Sequence, residues 1–266
     1  MCVLSMIKLF KYIGQNLVVI FLFGCADIIE YSPYDISVAS EHININAIGQ
    51  IVQNTDYDDT VKIALFSDSH VAYDELYDAI NHINQHDGLQ FVICCGDITD
   101  RGLYQEFEWY REIISHSRYP VITVIGNHDY RSNGLKIYEK MFGPSNMSFT
   151  FLDYNFIMFD DIVWENNNKS PRFDWLQVEL TKNNSPGILI THIPPWSDQI
   201  EGLYTLVFEK LISESNLILC LYGHQHAFTE RFFAGVPAIV SNNISDKEYY
   251  IIKLYGIHYK IELIKF

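Results

Sequence analysis

Basic residues are scarce in this chain of 266 residues: 18 lysines and arginines stand against 33 aspartates and glutamates, a formal net charge of -15. That balance argues against nucleic acid as a partner, because phosphate backbones are held mainly by Lys and Arg. An acidic surface also repels anionic substrates, so any phosphate chemistry needs a local positive source such as bound metal. Cysteines number five and make no disulfide framework. Cys94, Cys95 and Cys220 lie inside apolar runs, where Cys acts as a small hydrophobe, and adjacent strand residues such as Cys94 and Cys95 point to opposite faces. Neither an internal repeat nor a second globular domain is evident. What the chain does have is core material, with 48% hydrophobic and 15% aromatic residues, enough for one large globular domain.

The amino terminus reads as an address. In residues 1–25, Lys8 and Lys11 precede an apolar run from Leu17 to Phe23 that closes in Gly24-Cys25, the order of an export signal. The run falls short of the roughly 20 apolar residues that span a bilayer. LFGC resembles a bacterial lipobox, which implies cleavage before Cys25, lipidation of Cys25, and a cell-envelope protein anchored to the membrane; an uncleaved anchor or a buried terminal helix is the alternative. Met6 is an alternative start, since MIKLFKYIGQ makes a compact signal. Residues 26–60 read as a tether, with a short strand around Ile43 to Val52.

Residues 61–266 read as the folded domain, of α/β class with mixed sheets. VKIALFSD is a strand, and Tyr73 to His86 is a helix with Leu76, Ile80 and Ile83 at helical spacing before Gly88. LQFVICC leads through GDITDRG into the helix YQEFEWYREII, and YPVITVI leads through GNHD into a helix holding Tyr138 and Met141. SFTFLDYNFIMFDD predicts a hairpin, and KSPRFDWLQVEL a helix with Ser170 as N-cap and Pro171 at the first helical position. GILITH and LILCLYGHQH predict two buried strands, and the end alternates around Gly256 as a terminal hairpin. Alternating elements followed by antiparallel runs predict two mixed sheets between helices.

Ligands of open α/β sheets gather outside the carboxyl ends of strands. There this sequence places DSH (68–70), GDITDRG (96–102), GNHD (126–129), TH (191–192) and GHQH (223–226). Any one of these is ordinary as a strand-capping turn; five strands ending alike are not. Residues two apart on extended chain point the same way, so Asp68 and His70 can share an ion while His224 and His226 reach two neighbouring sites. Carboxylate, imidazole and amide oxygen suit divalent Mn, Fe or Zn, and the absence of cysteine from the clusters disfavours a structural thiolate site.

Taken in order, DxH, GDxxD, GNHD, TH and GHxH resemble the motif set of the calcineurin-like metallophosphoesterase family, from about Lys62 to the terminal hairpin. The resemblance implies a four-layered αββα sandwich and two divalent metal ions. It assigns Asp68, His70, Asp97 and His226 to the first ion, and Asp97, Asn127, His192 and His224 to the second, with Asp97 bridging. It implies hydrolysis of a phosphomono- or phosphodiester by water activated between the ions, with His128 as general acid and Asp100 orienting it. In the phosphoprotein phosphatases the arginine of DRG meets the substrate phosphate, a role open to Arg101 beside that of a solvated helix-start residue. Asp100 has the alternative of capping the following helix, and Asp129 a supporting or structural role.

Two departures narrow the branch. Purple acid phosphatases carry a ligand tyrosine where Asp100 stands, and the protein phosphatases have GNHE where this chain has GNHD. The pattern is closer to bacterial phosphodiesterase and nucleotidase-like branches, acting on a small phosphate ester. Asn127 and Arg101, with Tyr130, Arg131 and Trp196, are the candidate substrate contacts, packing being the alternative for the last three. A non-catalytic binding protein on the same fold and a nuclease of the same superfamily are the competing classes.

Overall fold

A computed structural model describes residues 41–54 and 60–266; the signal-like segment with Cys25, and most of the tether, lie outside the described residues. β-Branched and aromatic runs build two mixed sheets. The first has five strands in the order β11-β10-β1-β2-β3, formed by β1 (Val61–Phe66), β2 (Phe91–Cys94), β3 (Val121–Thr123), β10 (Glu248–Tyr255) and β11 (His258–Lys265). The three early strands run parallel, and the terminal hairpin joins them antiparallel through β10. The second sheet has six strands, β4-β5-β6-β7-β9-β8, with β4 (Met147–Phe151), β5 (Tyr154–Met158), β6 (Gly187–Ile190), β7 (Leu217–Tyr222), β8 (Thr229–Phe233) and β9 (Val236–Val240). Strands β5, β6, β7 and β9 are parallel, and hairpin partners close both edges.

The period of two along the strands sorts their side chains into separate cores. Ile63, Leu65, Phe91 and Ile93 of the first sheet meet Phe156, Met158, Ile190 and Leu221 of the second in a core between the sheets. Their alternates, Ala64, Phe66 and Val92 on one side and Ile157, Leu189 and Cys220 on the other, face helices. These helices are α2 (Tyr73–Ile83), α3 (Tyr104–Ile114), α4 (Gly134–Met141), α5 (Phe173–Thr181) and α6 (Leu203–Ser213). The layers are therefore helix, sheet, sheet, helix, as expected. Cys94 belongs to the helix-facing core and Cys95 to the inter-sheet core, and both are free.

Two local expectations are corrected. The segment read as a strand around Ile43 to Val52 is a helix, α1 (Ile43–Gln53). Its buried residues, Asn44, Ala47 and Ile51, fall at helical spacing. Asn44 replaces a neighbouring strand at the open edge of β3: its Nδ2 donates to the Thr123 carbonyl at 2.8 Å, and its Oδ1 accepts the Thr123 N–H at 2.9 Å. Helix α5 starts at Phe173 after Arg172, not after a Ser170 cap. The Ser170 hydroxyl donates to the Pro171 carbonyl at 3.1 Å, and Pro171 sits in the turn before the helix, where its carbonyl takes the Phe173 N–H at 2.8 Å.

Candidate metal centre

Each polar cluster of the sequence follows the carboxyl end of a strand, β1, β2, β3, β6 or β7, so the two sheets deliver their loops to one place. Backbone bonds knit those loops: Asp68 N–H donates to the Gly96 carbonyl, His70 N–H to the Asp97 carbonyl, and Gly223 N–H to the His192 carbonyl, each at 3.0 Å. Glycine is required where they cross. A Cβ on Gly126 would lie 2.2 Å from Asp97 N and Oδ1, and one on Gly223 would lie 2.1 Å from Ser67 Oγ. Five of the seven expected ligands sit in the left-handed region, Asp68 (φ 54°), His70 (42°), Asp97 (53°), His224 (71°) and His226 (52°). Such backbone is uncommon outside glycine and collects at functional sites.

The side chains form two sets that share one atom, Asp97 Oδ2. In the inner set His192 Nε2 lies 3.2 Å from Asp97 Oδ2 and 3.2 Å from Asn127 Oδ1, and His224 Nδ1 lies 3.1 Å from the same Asn127 oxygen. In the outer set His226 Nε2 is 3.2 Å from Asp68 Oδ1 and 3.4 Å from His70 Nε2, which in turn is 3.8 Å from Asp97 Oδ2. With bonds of about 2.1 Å, ligand atoms around one cation stand roughly 3.0 to 3.4 Å apart; the inner set matches that scale, and the outer set is looser, with His70 Nε2 3.8 Å from Asp97 Oδ2 and 3.9 Å from Asp68 Oδ1. Ring tautomers fit as well. His192 Nδ1 donates to the Cys95 carbonyl at 2.6 Å and His70 Nδ1 to the Thr99 carbonyl at 3.2 Å, which leaves the Nε2 lone pair of each ring facing the carboxylates. Donor set and geometry therefore fit divalent metal. Asp68 and His192 are fully buried while His226 is 47% exposed, so the outer set opens toward solvent.

Charge is concentrated there. Burial alone would lift the Asp97 carboxyl, but the imidazoles of His192, His128 and His70 hold it well below the usual carboxylate range. Burial pulls His192 down, and Asp97 more than reverses this, raising it to about 10. Burial, with His192 adding to it, lowers His224 to about 4. The attraction between His192 and Asp97 is one that a cation seated between them would replace, with release of any proton on His192 Nε2.

His128 stands beside both sets, its N–H donating to Asp97 Oδ1 at 2.8 Å and its ring centroid 4.6 Å from that of His70. Its Nδ1 is held by the backbone carbonyl of Asp100 at 2.9 Å, with the Asp100 carboxylate farther off at 3.5 Å. Helix α3 takes its cap from Glu106, which accepts the N–H groups of Leu103 and Arg101, so Asp100 is not that cap. Arg101 is 75% exposed and pairs with Asp100. The guanidinium at the site is that of Arg131, which lies 3.1 Å from His128 Nε2 and donates to the Asp100 carbonyl at 3.0 Å. Trp196 donates to Gln225 at 3.3 Å, tying the loop after His192 to the loop between His224 and His226, and carries Arg231 over its ring at 4.5 Å. Tyr130 is corrected as a substrate contact: it is buried, and its hydroxyl is committed to Asp160 at 2.5 Å.

Asp129 braces the loops after β2 and β3. Its carboxylate accepts from the N–H groups of Ile98, Thr99 and Gly126 and from the Thr99 hydroxyl, at 2.8 to 3.3 Å. Burial, then the charge of Asp97, pushes its carboxyl up to about 7. Three of the four partners are backbone N–H groups, however, which can only donate, so the geometry favours the ionised form. Asp129→Asn turns an N–H₂ toward those donors and should cost about 2–4 kcal/mol. That is a fall of about 5–15 °C in melting temperature, and an unchanged melt would remove the brace. Glu165 has no motif to announce it, yet its Oε1 accepts from Asn127 Nδ2 at 3.1 Å.

A protein of Fibrobacter succinogenes described as a probable cyclic nucleotide phosphodiesterase is 26% identical over 153 residues, 51% of this chain. The match spans 57% of that relative's length. Among solved structures, a dimetal phosphatase from Danio rerio superposes with a TM-score of 0.63 at 12% identity, over 77% of this chain and 98% of that one. GAP50 of Plasmodium, described as an anchor in the inner membrane complex, gives 0.58 at 11%, over 77% and 84%. At such identities the likeness is one of fold. The model of the calcineurin-like phosphoesterases matches residues 61–228, more than half of the sequence and all five polar clusters, and the chain belongs to that family.

Proposed function

We propose that this protein hydrolyses small phosphate esters, mono- or diesters, using two divalent ions, Mn, Fe or Zn, that share Asp97. The observation that carries the reading is the meeting of two ligand-spaced sets at one carboxylate oxygen. Asp68, His70, Asp97 and His226 would hold one ion, and Asp97, Asn127, His192 and His224 the other. When bound, the pair supplies Lewis acidity toward the phosphoryl oxygens and an acidified water as nucleophile. Two carboxylates against two dications also leave a positive centre that draws a phosphate to an acidic chain.

The side chains do the rest. The Asp100 carbonyl on Nδ1 fixes the His128 ring so that Nε2 faces outward. Once Arg131 has left Nε2 for the ester, His128 in its doubly protonated form gives the Nε2 proton to the departing oxygen and is left neutral. Arg131, already at Nε2, offers its guanidinium to the phosphoryl group as the ester arrives. The relative described as a cyclic nucleotide phosphodiesterase supports a diester substrate. The full chain with Mn should cleave bis-p-nitrophenyl phosphate or p-nitrophenyl phosphate; no turnover of either, with no metal retained on purification, would sink the reading. DNA and RNA should stay uncut under the same conditions.

We also propose a lipid anchor at Cys25. Cys25→Ser should move the protein from membrane to soluble fractions, and unchanged partitioning would reject the anchor.

A further inference from the structure

We infer that Glu165 is a positioning residue that holds the Asn127 amide with its oxygen turned inward, and thereby sets the affinity of the inner ion. The inference rests on the two-ion reading above. An Asn side chain has an oxygen on one edge and N–H₂ on the other, nearly alike in shape, and only the oxygen can ligate a cation. Here Oδ1 faces His192 Nε2 and His224 Nδ1, while Nδ2 lies 3.1 Å from Glu165 Oε1. A carboxylate only accepts, so the rotated amide would set oxygen against oxygen on one side and an N–H against the ion on the other. One orientation survives, and the charge-assisted bond also strengthens Oδ1 as a donor of electrons.

The loop that carries Glu165 is built to hold it still. Ile162 and Val163 just before it are buried. Asp160 Oδ1 takes the Ile162 N–H at 3.2 Å, and the Val163 carbonyl takes the N–H groups of Asn166 and Asn168 at 3.2 and 2.9 Å. Asp161 Oδ2 takes the N–H of Ile193, the residue after His192, at 3.0 Å. One short segment therefore holds the Asn127 amide and the backbone next to His192. Glu165 Oε2 is buried with no hydrogen-bond partner, an unfavourable state for an anion that a nearby cation would relieve.

The test is calorimetric titration of the metal-free full chain with Mn, with ion counts by mass spectrometry. Wild type should bind two ions. In Glu165→Ala the weaker ion should bind about 10- to 100-fold less tightly, and in Glu165→Gln, which keeps a carbonyl acceptor, only a few-fold less. A pair of variants covers the case in which Glu165→Ala fails to fold. Asn127→Asp alone sets two carboxylates face to face, and adding Glu165→Gln supplies an N–H to the new carboxylate, so the double variant should regain at least about tenfold of the lost affinity. Two ions bound in every Glu165 variant with wild-type affinity, or no rescue in the double variant, would overturn the role of Glu165 and leave the two-ion reading intact. Fewer than two ions in wild type would overturn both.

Discussion

Asp97→Asn should strip the protein of nearly all bound metal and reduce ester hydrolysis more than about 10³-fold, beyond the loss expected for a single transition-state contact. The change keeps shape and removes charge. Its remaining oxygen can still accept the His128 N–H that Asp97 Oδ1 holds at 2.8 Å, which seats the new amide nitrogen where Oδ2 stood. That nitrogen then points N–H groups at the positions 3.2 Å from His192 Nε2 and 3.8 Å from His70 Nε2 where both ligand sets converge. Neither set keeps its shared anion, and each is capped by a donor. Metal content by mass spectrometry and turnover of bis-p-nitrophenyl phosphate check this together. A variant that holds two ions and remains active would show that Asp97 is not shared.

His128→Ala should leave both ions in place and lower turnover about 10²- to 10⁴-fold, the range of a general acid. The variant is informative because His128, His70 and Asp97 also lie close enough together to hold an ion. If His128 were a ligand, removing it would empty part of the site. As an acid it matters in proportion to how poorly the leaving group departs unaided. The loss should therefore be larger for an alkyl ester than for a p-nitrophenyl ester, whose phenolate is stable near neutral pH. Equal losses on both, or loss of metal, would take the acid role from His128.

The sequence made the strands and the candidate ligand clusters readable for one reason: both announce themselves locally. A buried strand such as FVICC is contiguous, and a loop that must bind metal keeps its Asp and His within a few residues of the strand end. What stayed hidden depends on partners far along the chain. ININAIGQIVQ carries enough β-branched residues to read as a strand, and the helical spacing of Asn44, Ala47 and Ile51 gains its meaning from docking on β3, where Asn44 meets Thr123, 79 positions along the chain. Glu165 reaches Asn127 across 38 positions from an asparagine-rich loop with no periodicity. Asp100 was readable as a partner of His128, but whether its carboxylate or its carbonyl makes the bond depends on the backbone turn, which residue identity does not encode. In the sequence Tyr130 is open to substrate contact or to packing, and the short turn over His128–Tyr130 decides for packing, with its hydroxyl on Asp160.

The left-handed backbone at five candidate ligand positions is a cost that the rest of the domain offsets. Each non-glycine residue in that conformation costs roughly 1–2 kcal/mol, so the five together consume about 5–10 kcal/mol, comparable with the whole net stability of an ordinary domain, about 5–15 kcal/mol. That deficit is met by two sheets packed face to face and helices on both outer sides. The candidate centre is thus shaped by the packing of the four layers, which hold its loops in a conformation they would not keep on their own.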